Sequence, residues 1–338
     1  MSRVVSLVTT FVGLVLLVVL VRRVGAEAIV TGARQVGWGF LAILAISGAR
    51  ILVRAAAWRL CLDEAAKDAG AVSLPQAFGA GLCAEAIGSL TPLGLLGSEP
   101  VKAAWVRDTV PFGRAMAAVA VENVVYSISV AIVIAAGTIA LLASFNLSAG
   151  QRHAGELSLA LILGVLVALV AGLWLAARRF SWFSAVAERL TRSGRVGASI
   201  RRFEARAHDA MQATRGRLLP LAVLESLFHA GGVAEAYITI WLLTGAAPTI
   251  LAAFVLETAN RVVNVVFRFV PLRVGVDEAG TALMTSVLGM GTASGVTLAV
   301  VRKARVLCWS AAGIVLMIRR GLFLRTLIDG KVPGNRQP

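Results

Sequence analysis

Long apolar runs, each closed by a short polar or basic interruption, dominate the pattern along the chain. The clearest runs are 4–21, 115–143, 157–177 and 306–318 with the residues just before it. Residues 36–57 and 218–244 are equally long but carry ionisable groups. About 18 to 20 apolar residues match the hydrocarbon core of a bilayer in helical geometry, so these runs predict six spanning helices. Between them lie two segments that break the pattern. Residues 91–105 read TPLGLLGSEPVKAAW, placing Pro92, Gly94, Gly97, Glu99 and Lys102 where a spanning helix would carry leucine. Residues 249–290 break again around Pro271 and Gly275, and the pattern leaves open whether they form one hairpin or two spans.

Composition agrees with this reading. The 338 residues are 58% hydrophobic and the mean hydropathy is +0.82, well above a soluble domain. Little chain is left for an extramembrane domain. The expected organisation is one transmembrane domain over residues 1–320, with a basic loop at 178–217 and a basic tail at 321–338. The run at 4–21 exceeds the 7–15 apolar residues of a secretory signal and is followed at once by Arg22 and Arg23, so it is expected to be a retained helix.

The net charge of +15 is concentrated in that loop and tail. Residues 178–217 hold ten arginines against Glu188, Glu204 and Asp209. Short basic loops stay on the cytoplasmic side, which places both termini inside; the mildly basic segment 22–35 then falls outside, against the rule. No interleaved aromatics or recognised module accompany the arginines, so no nucleic-acid partner is expected. Cys61, Cys83 and Cys308 stand singly, and the histidines are dispersed. Neither a metal site nor a cofactor is expected.

An internal echo bears on the two broken segments. Residues 92–99 read PLGLLGSE and residues 271–278 read PLRVGVDE. Each opens with Pro-Leu, has a glycine in the middle and ends on a Glu, and Ser98 and Asp277 are the helix N-cap candidates beside Glu99 and Glu278. Charge counting makes the first hairpin enter from inside and the second from outside. The expected fold is therefore an all-α polytopic membrane protein. It has about six full spans and two re-entrant helical hairpins, in an inverted-topology repeat of about 36–143 and 218–318. Irregular backbone in hydrocarbon leaves polar groups unpaired, so such breaks are expected to line a polar cavity. Pro92, Gly94, Gly97, Pro271 and Gly275 are the expected hairpin tips.

The charged residues supply the candidate chemistry. Glu257, Asn260, Arg261, Asn264 and Arg268 recur at helical spacing along one side of 249–270. Charges in a span face a bundle interior or water. Two readings remain open here, an internal Glu257–Arg261 pair and a wall whose arginines meet phosphate oxygens through forked donors. Arg273 at the second tip extends that wall. Glu99 and Glu278 would compete with an anion there, pair with Lys102 and Arg302, or carry protons. Glu225 and His229 stand at i, i+4 in 218–244, as a proton relay or as a structural hydrogen bond. Arg302, Lys303 and Arg305 would meet a headgroup or snorkel to the interface. Glu85 and Glu122 are expected to pair internally. The expected headgroup contacts are Arg261, Arg268, Arg273, Arg302, Asn260, Asn264 and Lys102.

TPLGLLGSEPVKAAW, PLRVGVDEAG and LAVVRKARVLCWSAAG, in this order and spacing, resemble the lysylphosphatidylglycerol synthase transmembrane region family of flippase-like proteins over about residues 36–318. The resemblance implies a bacterial inner-membrane protein that moves a polar lipid between leaflets and is not itself an enzyme. Its partners would be anionic or polar lipids, with a second copy or a separate lipid-synthesising enzyme also possible. Some relatives carry a further soluble synthase domain; this chain ends about twenty residues after its last helix and is not expected to perform that step alone. A relative associated with hopanoids leaves that lipid class open. Many relatives have an acidic residue followed by Arg after the first hairpin; here Glu122-Asn123 takes that place, which puts an ion pair there in doubt. No G-x-x-x-x-G-K-[ST] loop is present, so ATP is not expected to drive transport. The competing readings are a membrane enzyme or an accessory protein of polar-lipid or hopanoid metabolism. No Asp-x-Asp pair or Ser–His spacing favours the enzyme.

Overall fold

The computed structural model describes residues 34–65, 71–90, 94–177, 214–267 and 270–320, with scattered positions between 27 and 212. The expected first helix at 4–21, most of the basic loop 178–217 and the tail 321–338 lie outside the described residues, as do Pro92 and Arg268.

Among the described residues the fold is helical throughout. The elements are α1 (Gly39–Ala65), α2 (Leu74–Leu90), α3 (Gly94–Trp105), α4 (Phe112–Ser144) and α5 (Ala149–Ala177), then α6 (Leu218–Thr244), α7 (Ile250–Val266), α8 (Val276–Val287) and α9 (Thr292–Arg320). Four of them contain stretches long and apolar enough to cross a membrane: Gly39–Leu62, Phe112–Ser144, Ala149–Leu169 and Leu218–Thr244. Helix α9 runs unbroken for 29 residues but carries Arg302, Lys303 and Arg305 in its first half.

The local sequence explains where these helices start and stop. Helix α5 starts at Ala149, ahead of the apolar run 157–177, because Ser148 opens it with a reciprocal cap. Gln151 N–H donates to Ser148 Oγ (3.4 Å) and Ser148 N–H donates to Gln151 Oε1 (2.9 Å), which satisfies two amides a helix start leaves free. Thr249 caps α7 by accepting from Ala252 N–H at 3.1 Å. Gly245 ends α6 in the left-handed region at φ 70°, where a side chain would clash.

The two broken segments differ from their expected form in detail. Helix α7 has 17 residues and α8 has 12. At 1.5 Å per residue neither spans a hydrocarbon core of about 30 Å, so 249–290 is a pair of short helices rather than two spans. The break sits at Pro271–Arg273, where Leu272 (φ 50°) and Arg273 (φ 47°) take left-handed conformations. Pro271 and Gly275 lie in the connection between two short helices. Gly94 and Gly97 do not: Gly94 is the first residue of α3 and Gly97 lies inside it. Gly97 serves packing, since a Cβ there would stand 3.0 Å from Ile87 of α2. The N-cap expectations are corrected too. Ser98 is buried within α3. Gly275 caps α8 at φ 86°, with its N–H donating to Glu278 Oε2 at 2.8 Å, and Asp277 falls in the first turn.

Helix α1 packs along α6, α2 along α9, and α7 along α4, while α5 lies against α4. Exchanging α1–α4 for α6–α9 turns each packing pair of the two halves into another such pair. Two crossings are close because they use glycine. A Cβ at Gly313 (α9) would meet Leu82 backbone carbon at 2.8 Å, and one at Gly137 (α4) would meet Thr258 Cβ at 2.6 Å. The main apolar core gathers Trp58, Leu62, Val101, Val106, Leu221 and Met317 with neighbours from α1 to α4.

Candidate functional site: a buried charge seam

The charges of the spans meet in the interior. Arg50 and Arg54 are the twelfth and sixteenth of the 27 residues of α1. Glu225, His229 and Glu235 occupy the middle of α6. At 1.5 Å per residue Arg50 is about 17 Å from the start of its helix, half the reach of a span. The seam is therefore far from either helix end.

In the first half Glu122 of α4 is fully buried. Arg54 Nη2 donates to its Oε1 at 2.6 Å and Lys102 Nζ to its Oε2 at 3.2 Å. Glu122 therefore has two cationic partners although Asn123, not Arg, follows it; they come from α1 and α3 rather than from its own helix. Lys102 also lies 4.9 Å from the Trp58 ring, and the Arg54 guanidinium 3.7 Å from the Tyr126 ring.

In the second half Glu257 of α7 is the hub. Arg261 approaches it at 2.8 Å, Arg50 at 3.5 Å and Arg302 at 3.6 Å, and Asn260 Nδ2 donates to it at 3.0 Å. Arg50 also donates to Glu235 at 2.6 Å, which Arg305 engages as well. Gly231 and Gly232 of α6 make room for this bridge: a Cβ at Gly232 would stand 2.8 Å from Glu257 Cδ and 3.2 Å from Arg50 Nη2. Phe228 joins the halves. Arg50 and Arg261 lie 4.7 Å from its ring and Arg54 5.6 Å, while Arg261 Nη1 donates to Tyr126 Oη at 3.2 Å.

On α7 the internal Glu257–Arg261 pair is present, and Arg50 and Arg302 join it around the same carboxylate. Asn264 lies half-buried one turn beyond Asn260. Arg302 and Lys303 are 5% and 2% exposed; they do not snorkel, because α2, α6 and α8 pack against α9 and enclose them. Glu278 pairs with Lys303 at 2.5 Å rather than with Arg302. Lys102 turns to Glu122 and not to Glu99, whose Oε2 is buried without a hydrogen-bond partner among the described residues. Arg273 is turned toward Asp277 at 3.8 Å. Glu85 is exposed, with Ser89 Oγ 3.5 Å away. Sequence reading passed over Arg50 and Arg54, although their i, i+4 spacing in an apolar span marks a charged stripe. It also passed over Ser129, Tyr126 and Phe228, which carry no sequence signal of their own.

Taken together, Arg50, Arg54, Lys102, Arg261, Arg302 and Arg305 share the interior with Glu122, Glu225, Glu235, Glu257 and Asp277, six cations to five carboxyls. Among the described residues, Arg302 Nη1 and Nη2, Arg261 Nε and Arg50 Nε are buried without a hydrogen bond, although Arg302 Nη2 stands 3.6 Å from Glu257 Oε2, and Glu257 Oε1 and Asp277 Oδ1 beside them lack one as well. A buried donor without an acceptor costs about 1–3 kcal/mol, more when charged. A surplus of such donors at the centre of a span has the chemistry of an anion site. Among the described residues no group of His, Cys, Asp and Glu is arranged to hold a metal.

An all-helical bundle with candidate spans and charges buried at mid-helix defines an integral membrane protein. The chain belongs to the lysylphosphatidylglycerol synthase TM region family, whose model matches residues 4–313. Comparison with curated proteins and with solved structures gives no match.

Proposed function

We propose that the protein is a lipid translocase that moves an anionic or other polar-headed phospholipid between leaflets. The headgroup crosses along the charged seam and the acyl chains stay in the surrounding lipid. The two short-helix pairs, α2–α3 and α7–α8, act as re-entrant hairpins of an inverted repeat. Their matching lengths and the exchangeable packing of the two halves support this arrangement. The observation that carries the function is the set of buried arginine donors without acceptors, centred on Arg302 and Arg261. A phosphodiester supplies those acceptors, and its charge offsets the cation surplus. The protein acts as a carrier rather than as an enzyme, in a bacterial cytoplasmic membrane, and without ATP.

The test is reconstitution into liposomes holding a phosphatidylglycerol labelled on its acyl chain, with dithionite quenching the outer leaflet. Wild-type protein should raise the inner-leaflet quenching rate at least tenfold over protein-free vesicles. Arg302→Leu should remove most of that gain while the protein still melts cooperatively in detergent, since Glu257 keeps Arg261 and Arg50 as partners. Equal rates with and without protein, across anionic and zwitterionic headgroups, would refute the reading.

A further inference from the structure

Of the carboxyl residues buried in the seam, Glu225 stands apart. Glu122, Glu235, Glu257 and Asp277 each have a cation in ion-pair range. Glu225 is 2% exposed and has no ion pair among the described residues. A carboxyl in that position can gain and lose a proton without breaking a structural bridge. One turn along the same face of α6 is His229, 6% exposed. Between them the hydroxyl of Ser129 reaches in from α4: its Oγ is 3.4 Å from Glu225 Oε2 and 3.0 Å from His229 Nε2. It is also 2.8 Å from the Tyr126 carbonyl. One hydroxyl proton thus has three acceptors to choose among. The far ends of the chain, Glu225 Oε1 and His229 Nδ1, are buried without hydrogen-bond partners among the described residues.

We propose that Glu225, Ser129 and His229 form a proton path that couples lipid movement to a proton gradient; this rests on the translocase reading above. A proton taken from water settles on Glu225 Oε2, the oxygen that faces Ser129, and makes the carboxyl neutral. The carboxyl passes a proton from Oε2 to Ser129 Oγ as Ser129 passes its own to His229 Nε2. The resulting imidazolium releases a proton to water from Nδ1. One proton enters and one leaves, and rotation of the hydroxyl with a change of ring tautomer restores the start. The groups facing the pair are Arg50 and Arg54 from α1, Glu122 and Tyr126 from α4, and Glu257 and Arg261 from α7. His229 lies parallel to the Tyr126 ring at 6.4 Å, and Tyr126 Oη accepts from Arg261. A proton held on His229 therefore adds positive charge beside the arginine that receives the headgroup. Anion and proton stabilise each other, and by linkage each raises the affinity for the other.

The experiment uses the reconstituted protein, with the labelled phosphatidylglycerol and pyranine trapped inside, under pH gradients of either sign. The wild type should translocate about fivefold faster under one sign than under the other, a coupling of the ordinary size, and pyranine should report proton movement that requires the lipid. Glu225→Gln and His229→Phe should abolish the difference between the two signs. Ser129→Ala should reduce it and Ser129→Thr should preserve it. Equal acceleration under both signs in the wild type, or an undiminished response in folded Glu225→Gln, overturns the coupling and leaves the translocase reading intact. No acceleration under any gradient overturns both.

Discussion

The two halves of the bundle share a plan and differ in where they keep their charge. Helices α1 to α4 have 27, 17, 12 and 33 residues, and α6 to α9 have 27, 17, 12 and 29. Glu122 and Arg302 are each the eleventh residue of the last helix in their half. One is a carboxylate held between two cations and the other a guanidinium 3.6 Å from the Glu257 carboxylate. In the first half the short helix α2 contributes no buried charge, and its acid, Glu85, faces outward. In the second half the short helix α7 carries Glu257 and Arg261 into the centre. The shared lengths show that helix length and packing tolerate a large change of content. The differing content shows that in the first half the central carboxylate, Glu122, is held by Arg54 and Lys102, whereas in the second Glu257 gathers Arg261, Arg302 and, from the first half, Arg50.

Substitutions can break that contrast or sharpen it. The largest effect belongs to Glu257→Leu, which strands Arg50, Arg261 and Arg302 around an apolar side chain. Removing one partner of a buried ionic cluster costs about 3–5 kcal/mol, so chemical unfolding in mixed micelles should show a loss of that size. Next come the two glycine crossings. Gly313→Ala places a methyl group against the backbone of Leu82, and Gly137→Ala places one against Thr258; each should lose about 1–3 kcal/mol, with Gly313 the more costly because backbone yields less than a side chain. Equal losses at both crossings would mean that the halves are packed alike; no loss at either would contradict the close approach. Arg273→Ala removes a long, partly exposed pair with Asp277 and should cost under about 1 kcal/mol. Glu85→Gln should stay within about 0.5 kcal/mol of wild type, and a larger change would mean that α2 hides a charge contact of its own.

Much of this plan is legible in the residues themselves. Helix α6 coincides with the run 218–244, because its ionisable groups, Glu225, His229 and Glu235, do not interrupt backbone hydrogen bonding between Arg217 and Gly245. The break at Pro271 is equally readable, since proline removes a donor and glycine at 275 permits a positive φ. The break after Thr91 was misjudged in one respect. Gly94 and Gly97 also permit a turn, yet a glycine inside a helix signals close packing as often as it signals bending, and only Ile87 across the hairpin shows which applies. The polar start of α5, Ala149 to Glu156, lies outside the apolar run 157–177 and is not marked by it, because capping residues and loop residues are the same types.

What the sequence by itself determined is the helical class, the long apolar helices and the break at Pro271. Those follow from hydrogen bonds and backbone angles within a few residues of one another. The partners of the buried charges were decided by the tertiary structure alone. Arg54 finds Glu122 across 68 residues and Arg50 finds Glu235 across 185, distances over which no local rule acts. Helix crossings, set by a few glycines and small side chains, bring those groups within reach. Once water is excluded, each carboxylate takes whichever cation the crossing delivers.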